Sequence, residues 1–236
     1  MLEFLRNKKV MVVVAHPDDE LLGLGASIHK LIREFNVKTH LVILGEGITS
    51  RSKNRDLNLW KKELKIHRQN IKKASKIIGY QNTKSFDFPD NRFDIVPLLD
   101  IIKVIEEEKN IFNPDVIFTH HGGDLNIDHQ KTYEAVLTAF RPLKGETGKA
   151  IITFETPSST EWRFNSVSLN FKPNFFISFS EKDLKTKMKG MESYDYEKRI
   201  FPHPRSSQAL KIKAQSWGIT IGEEYAEAFS IIRLIG

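Results

Sequence analysis

The chain has 236 residues, 40% hydrophobic and 28% charged, with a formal net charge of +6 and no cysteine. That is the balance of a globule large enough for one α/β domain, in which disulfides and thiolate metal sites are excluded and any metal must be held by histidine and carboxylates. No basic-then-apolar leader opens the chain, no apolar run approaches the ~20 residues a bilayer requires, and the lysines and arginines are scattered; the expectation is a cytoplasmic protein with no membrane span and no nucleic-acid partner.

After a short basic lead-in, residues 10–15 form an unbroken, mostly β-branched apolar run, the pattern of a strand covered on both faces in a parallel sheet. His16, Pro17, Asp18, Asp19 and Glu20 follow at once, and then Leu21, Leu24, Ile28, Leu31, Ile32 and Phe35 recur at helical spacing. Pro17 suits a first helical turn. The polar cluster therefore falls on a strand-to-helix turn, the edge of the sheet where α/β folds place ligands. One imidazole and two adjacent carboxylates suit zinc or a similar divalent ion. Successive residues of a helical turn point about 100° apart, so Asp18 and Asp19 are not both expected to be ordinary ligands of one ion. One would bind metal while the other faces a bound water, and spacing leaves open which is which. Glu20 reads as a complement to the helix dipole.

Lys38 to Leu44 is a second strand, completing a right-handed βαβ unit that ends in Gly45-Glu46-Gly47. The polar stretch 48–58 reads as a loop over the site, in which Arg51 and Arg55 could grip an anionic group. Trp60, Leu64, Ile71, Ala74, Ile77 and Ile78 keep helical period up to a Gly79 cap. Lys84 to Phe88 alternates as a strand, and the turn after it puts Asp90, Asn91 and Arg92 where a substrate could be met. A helix over 95–108 follows, closed by Asn113-Pro114.

Val116 to Phe118 is a short strand running into His120, His121, two glycines, Asp124, Asn126, Asp128 and His129, with helical spacing resuming from Gln130 to Phe140. If this second polar turn shares a sheet edge with the first, His129 completes a His/Asp/His triad with His16 and Asp19 that leaves zinc an open position for water. His120 and His121 read as packing or loop residues. Strand 151–156 carries Glu155 into the loop 157–162, and Trp162, Phe164 and Phe171 indicate an ordered excursion packed on the body. A strand over 174–180, a Lys-rich helix from Glu181, the stiff Phe201-Pro-His-Pro-Arg-Ser-Ser-Gln208 and a helix over 209–217 ended by Gly218 complete the chain, without repeat or linker.

Two of these motifs carry a family resemblance. Ala15-His-Pro-Asp-Asp-Glu20 resembles the signature of the PIG-L/LmbE-like deacetylases, zinc enzymes that remove N-acyl groups from amino sugars, and Asp124-Leu-Asn-Ile-Asp-His129 resembles the family's second metal motif. His203-Pro-Arg-Ser206 and Tyr225-Ala-Glu-Ala-Phe229 are similar to the longer, bacterial sugar-modifying branch. The resemblance covers essentially the whole chain. It implies a Rossmann-like (LmbE-like), mostly parallel sheet flanked by helices in a single domain over 1–236, with the part from about 157 completing the substrate site. It further implies zinc on His16, Asp19 and His129, another divalent ion such as Fe2+ being left open, and Asp18 as general base. Asp128 would hydrogen-bond a ligand imidazole or tune the base. Family members vary three places before the ligand histidine, where a histidine would stabilise the oxyanion; this chain has Asn126 there, so the oxyanion donor is Asn126, His203 or the metal itself. Substrate contacts fall to Arg51, Asp90, Asn91, Asp124, Glu155, His203 and Arg205.

The implied activity is hydrolysis of an N-acetyl group from a small amino-sugar substrate, free, nucleotide-linked or lipid-linked, releasing acetate; homo-oligomerisation is left open. The alternative is a metal-bound carbohydrate-binding protein or a phosphoester hydrolase using the same ligands. A dinucleotide-binding enzyme is disfavoured, because Gly23-Leu-Gly25 comes a helical turn too late for a Gly-x-Gly-x-x-Gly turn.

Overall fold

Alternation along the first strand divides the interior in two. In the computed structural model, which describes residues 2–164 and 168–236, strand β1 (Lys9–Val14) sends Val10, Val12 and Val14 to one face and Met11 and Val13 to the other. The first set packs with Leu21, Ile28 and Leu31 of helix α1 (Asp19–Phe35) and with Ile71, Ala74 and Ile78 of α2 (Lys61–Ile78). The second packs with Ile101 and Ile105 of α3 (Leu98–Phe112) and with Ala135 and Val136 of α4 (Ile127–Ala139). Both faces of β1 are buried, as its β-branched run requires.

The remaining strands are β2 (Lys38–Gly45), β3 (Asn82–Phe88), β4 (Val116–His120), β5 (Ala150–Phe154), β6 (Phe175–Ser178) and β7 (Ala226–Leu234), and the last two helices are α5 (Glu181–Met191) and α6 (Ser207–Ile221). The seven strands form one sheet in the order β3-β2-β1-β4-β5-β7-β6. Strands β1 to β5 are mutually parallel and β7 runs antiparallel between β5 and β6. This is the Rossmann-like, mostly parallel arrangement expected. The chain winds outward from β1 to β2 and β3 on one side and through β4 and β5 on the other, so the carboxyl ends of β1 and β4 flank the topological switch point, where open α/β sheets hold ligands. No helix among the described residues is long and apolar enough to cross a membrane.

Several boundaries depart from the sequence expectation. Pro17 precedes α1 instead of sitting in its first turn, because the chain turns through a left-handed Asp18 before the helix begins. Helix α6 runs through Gly218 and stops at left-handed Gly222; Gly218 serves close packing, since a Cβ there would lie 2.6 Å from the Glu223 carbonyl oxygen. Ile95 falls in a short 3-10 turn, and α3 starts only after Pro97. Of the expected excursion, Trp162 packs edge-on to His203 and Phe171 edge-on to His121, whereas Phe164 is 77% exposed and does not pack on the body; residues 165–167 lie outside the described residues.

Candidate active site

Asp18 takes φ 101°, a left-handed conformation that costs a non-glycine residue of the order of 1–3 kcal/mol. The surroundings hold it there. Its N–H donates to Glu20 Oε2 at 3.1 Å, and its carbonyl accepts the N–H groups of Leu21 and Leu22, each at 2.9 Å. Glu20 Oε1 in turn accepts the Tyr194 hydroxyl at 2.7 Å. Glu20 is fully buried, so the expectation of a dipole-complementing surface acid is corrected: burial pushes its carboxyl up to about 7 against the hydrogen bonds that hold it down.

The second turn is built on a cap. Asn126 Oδ1 accepts the Asp128 N–H at 2.8 Å, starting α4 three residues earlier than the periodicity indicates and turning His129 toward β1. Asp128 is saturated: Oδ1 accepts the Phe93 N–H at 2.8 Å, and Oδ2 accepts the Asn91 N–H at 2.6 Å and meets His16 Nε2 at 2.8 Å. With Nε2 so engaged, His16 turns Nδ1 to within 3.5 Å of Asp19 Oδ2, and His129 Nε2 approaches the same oxygen at 3.4 Å. His129 Nδ1 lies 3.2 Å from Asp124. One donor atom from each of His16, Asp19 and His129 therefore falls within 4.8 Å of the others, in a buried place. Two imidazoles and a carboxylate, each imidazole backed by an outer carboxylate, fit a divalent cation. His16, Asp90 and Asp128 also converge within that distance, but Asp128 is spent on backbone N–H groups and on orienting His16.

His120 is close and not free. Its Nε2 accepts the Ala15 N–H at 2.9 Å, its Nδ1 faces Thr156 Oγ1 at 3.0 Å, and its ring stacks on His129 with centroids 3.9 Å apart. Burial and the neighbouring His129 lower its pKa to about 4. Burial opposes charge on His129 too, but Asp19 and Asp124 lift it to about 9. For Asp19 burial is likewise outweighed, by His129 and His120, and its pKa lies well below the ordinary range. Asp18, one residue away, goes the other way: burial and the acids Glu197, Asp19 and Glu20 push it well up against the pull of Arg205.

His16, Asp18, Asp19 and His129 floor a cavity of about 180 Å³ at the switch point. Its walls include Ser50, Arg51, Asp90, Asn91, Asn126, Ser158, Ser159, Glu197, Arg199 and Arg205. Arg205 donates to Asp18 Oδ2 at 3.2 Å, to Glu197 Oε2 at 2.6 Å and to Ser158 Oγ at 2.9 Å. Arg51 reaches the same Glu197 and the Tyr196 carbonyl, while Arg55 is tied to Glu46 outside the cavity.

Three sequence candidates for substrate contact do not reach the cavity. Asp124 is fully buried beneath it, accepting the Ser159 and Thr160 hydroxyls. Glu155 bonds Trp217 Nε1 and Lys213 in a separate crevice, because successive side chains of an extended chain point oppositely and its neighbour Thr156 takes the cavity side. His203 packs on Trp162 and accepts the Arg205 N–H at 3.2 Å. Conversely, Glu197 and Tyr194 were not legible: the stretch 192–199 has neither periodicity nor motif to set Glu197 apart from the charged residues around it.

Residues 11–140 match the family described as PIG-L: GlcNAc-PI de-N-acetylase. The chain belongs to the PIG-L family. Both polar turns lie inside the matched segment, whereas Glu197 and Arg205 lie beyond it. This PIG-L member is 27% identical over 194 residues to the uncharacterized deacetylase YaiS of Escherichia coli, covering 80% of this chain and 91% of that one. It is 24% identical over 239 residues to the diacetylchitobiose deacetylase of Thermococcus kodakarensis, covering 95% and 83%. Its fold is that of N,N'-diacetylchitobiose deacetylase from Pyrococcus horikoshii, with a TM-score of 0.72 over 99% of this chain and 86% of that one at 19% identity. These three similar proteins are all described as deacetylases.

Proposed function

We propose that the protein is a metal-dependent hydrolase that removes an N-acetyl group from an amino sugar or sugar conjugate and releases acetate. The observation that carries this is the convergence of His16, Asp19 and His129 on one buried point with Asp18 beside it on the cavity floor. The ligand assignment is His16, Asp19 and His129, a donor set that suits zinc or another divalent ion such as Fe2+. Bound there, the ion supplies Lewis acidity and lowers the pKa of water toward neutrality.

The rest is the work of the chain. Asp18 accepts the proton of the attacking water as its oxygen adds to the acetamide carbonyl carbon, and delivers that proton to the amine nitrogen as the C–N bond breaks. A carboxyl whose burial and acidic neighbours raise its pKa suits both halves of this exchange. Asn126 stands where the family's histidine would be, and its Nδ2, which donates to Asn91 Oδ1 at 3.0 Å, is the donor assigned to the developing oxyanion among those on the wall. Asp90, Asn91, Arg51 and Arg205 line the space for the sugar. The positive formal charge fits a phosphorylated or otherwise anionic conjugate.

The test is acetate release from free, nucleotide-linked and lipid-linked N-acetylhexosamines by zinc-loaded and chelator-treated protein. Chelator-sensitive acetate from one substrate supports the proposal and names the class. Phosphate release in place of acetate, or sugar binding with no turnover on any of them, overturns it.

A further inference from the structure

Helix α1 is not one helix. Leu24 has φ −146° and ψ 16°, which breaks it into a short first piece carrying Asp19 and Glu20 and a longer second piece. A break of this kind strands backbone groups: in a regular helix the Ala26 N–H would donate to the Leu22 carbonyl. Here the Leu22 carbonyl accepts Lys187 Nζ at 3.0 Å, and the Ala26 N–H reaches Glu227 Oε1 at 3.3 Å. The Ser27 N–H donates to Glu227 Oε2 at 2.8 Å. Lys187 and Glu227 close the circuit with a 2.7 Å ion pair, both of them buried. A carboxylate at the amino end of the second piece and an ammonium at the carboxyl end of the first are the charges the two helix dipoles favour.

The glycines flanking the break make room for this arrangement. A Cβ on Gly23 would sit 2.1 Å from the Phe154 ring, and one on Gly25 would sit 3.1 Å from Lys187 Cγ. The sequence features that the reaction leaves unexplained, Gly23-Leu-Gly25 and the glutamate of Tyr225-Ala-Glu-Ala-Phe229, thus meet at a single point. That point lies one helical turn from Asp19.

We propose that Lys187 and Glu227 are positioning residues, which fix the angle of the first piece of α1 so that Asp19 faces His16 and His129 and Asp18 faces the cavity. The inference rests on the metal-dependent reading above. Neither residue lines the active-site cavity; both act through backbone groups of α1. Groups that hydrogen-bond a metal ligand directly typically change metal affinity about 10- to 100-fold, and this pair, acting through the helix backbone, is assigned the lower end of that range.

The experiment is zinc affinity, by competition with a chromophoric chelator, and Tm, both measured on full-length Glu227→Gln, Lys187→Met and the double variant beside the parent protein. Each single variant is expected to bind zinc at least about tenfold more weakly, and the double variant no more weakly than the worse single, because the two act as one unit. Lower Tm with zinc affinity equal to the parent would overturn the proposal and leave the pair a packing feature. If the replacements prevent folding, Gly25→Ala, which crowds the Lys187 stem, must still weaken zinc binding for the proposal to stand. Parent protein that binds zinc but releases no acetate refutes the deacetylase reading alone. Acetate release by the parent, with zinc affinity unmoved in the variants, refutes this one alone.

Discussion

Replacing Glu20 by glutamine isolates the acid of the first motif that does not itself line the cavity. Its carboxyl is fully buried and its pKa is raised from 4.5 to about 7, chiefly by burial. At about 1.4 kcal/mol per pH unit this corresponds to the order of 3 kcal/mol. The sign follows from the raised value: the stabilising contribution is whole below the unfolded pKa of 4.5 and is lost as pH rises through about 7. Glutamine resembles the protonated form, with one oxygen left to accept the Tyr194 hydroxyl or the Asp18 N–H, and it does not titrate. Urea unfolding of both chelator-treated proteins from about pH 5 to about pH 8 is the assay, since the other titrating groups are common to the pair and, apart from the smaller effect of the Glu20 charge on Asp18, cancel. The stability of Glu20→Gln relative to the parent should rise by up to about 3 kcal/mol across that range. A difference that stays flat with pH would refute the assignment of a buried, proton-holding carboxyl.

Asp18→Asn should keep zinc binding, measured by metal content after gel filtration, and lose roughly 10²- to 10⁴-fold in turnover, the usual size of an acid–base contribution; full turnover would sink its role as base. His129→Ala should lose bound zinc and activity together, with metal content again the readout. Gly23→Ala should destabilise the protein by about 1–3 kcal/mol in urea unfolding, because its Cβ would fall 2.1 Å from a Phe154 ring that has no free side to move into.

The β1 run and the two polar turns were legible because their physics is local. A doubly buried strand announces itself in consecutive β-branched residues, and a strand-to-helix turn in the change of period after it. His16, Asp19 and His129 are each visible at such a turn; their convergence needed only the rule that both turns open on one sheet edge. What escaped depends on distant contacts. The 226–234 segment reads as a motif and not as a strand until β5 and β6 supply its partners. Glu197 matters because Arg51 and Arg205, 146 and 8 residues away, both close on it. The left-handed Asp18 is invisible in a stretch where proline and acids all favour a helix start, and it is sustained by contacts that include Glu20, itself held by the distant Tyr194.

The antiparallel strand β7 has a consequence for how the protein is made. It is the last element of the described chain, yet it lies inside the sheet, and β6 pairs with no other strand among the described residues. On a ribosome adding roughly 5–20 residues per second, the 72 positions from the end of β5 at Phe154 to Ala226 take roughly 4–14 s. Through that interval β5 presents an unpaired apolar edge, the kind of surface that recruits neighbouring chains. Glu227 arrives with β7, so the clamp on α1 closes only once that strand has been made. Completion of the sheet beyond β5 and closure of the Lys187–Glu227 pair therefore wait on the same strand.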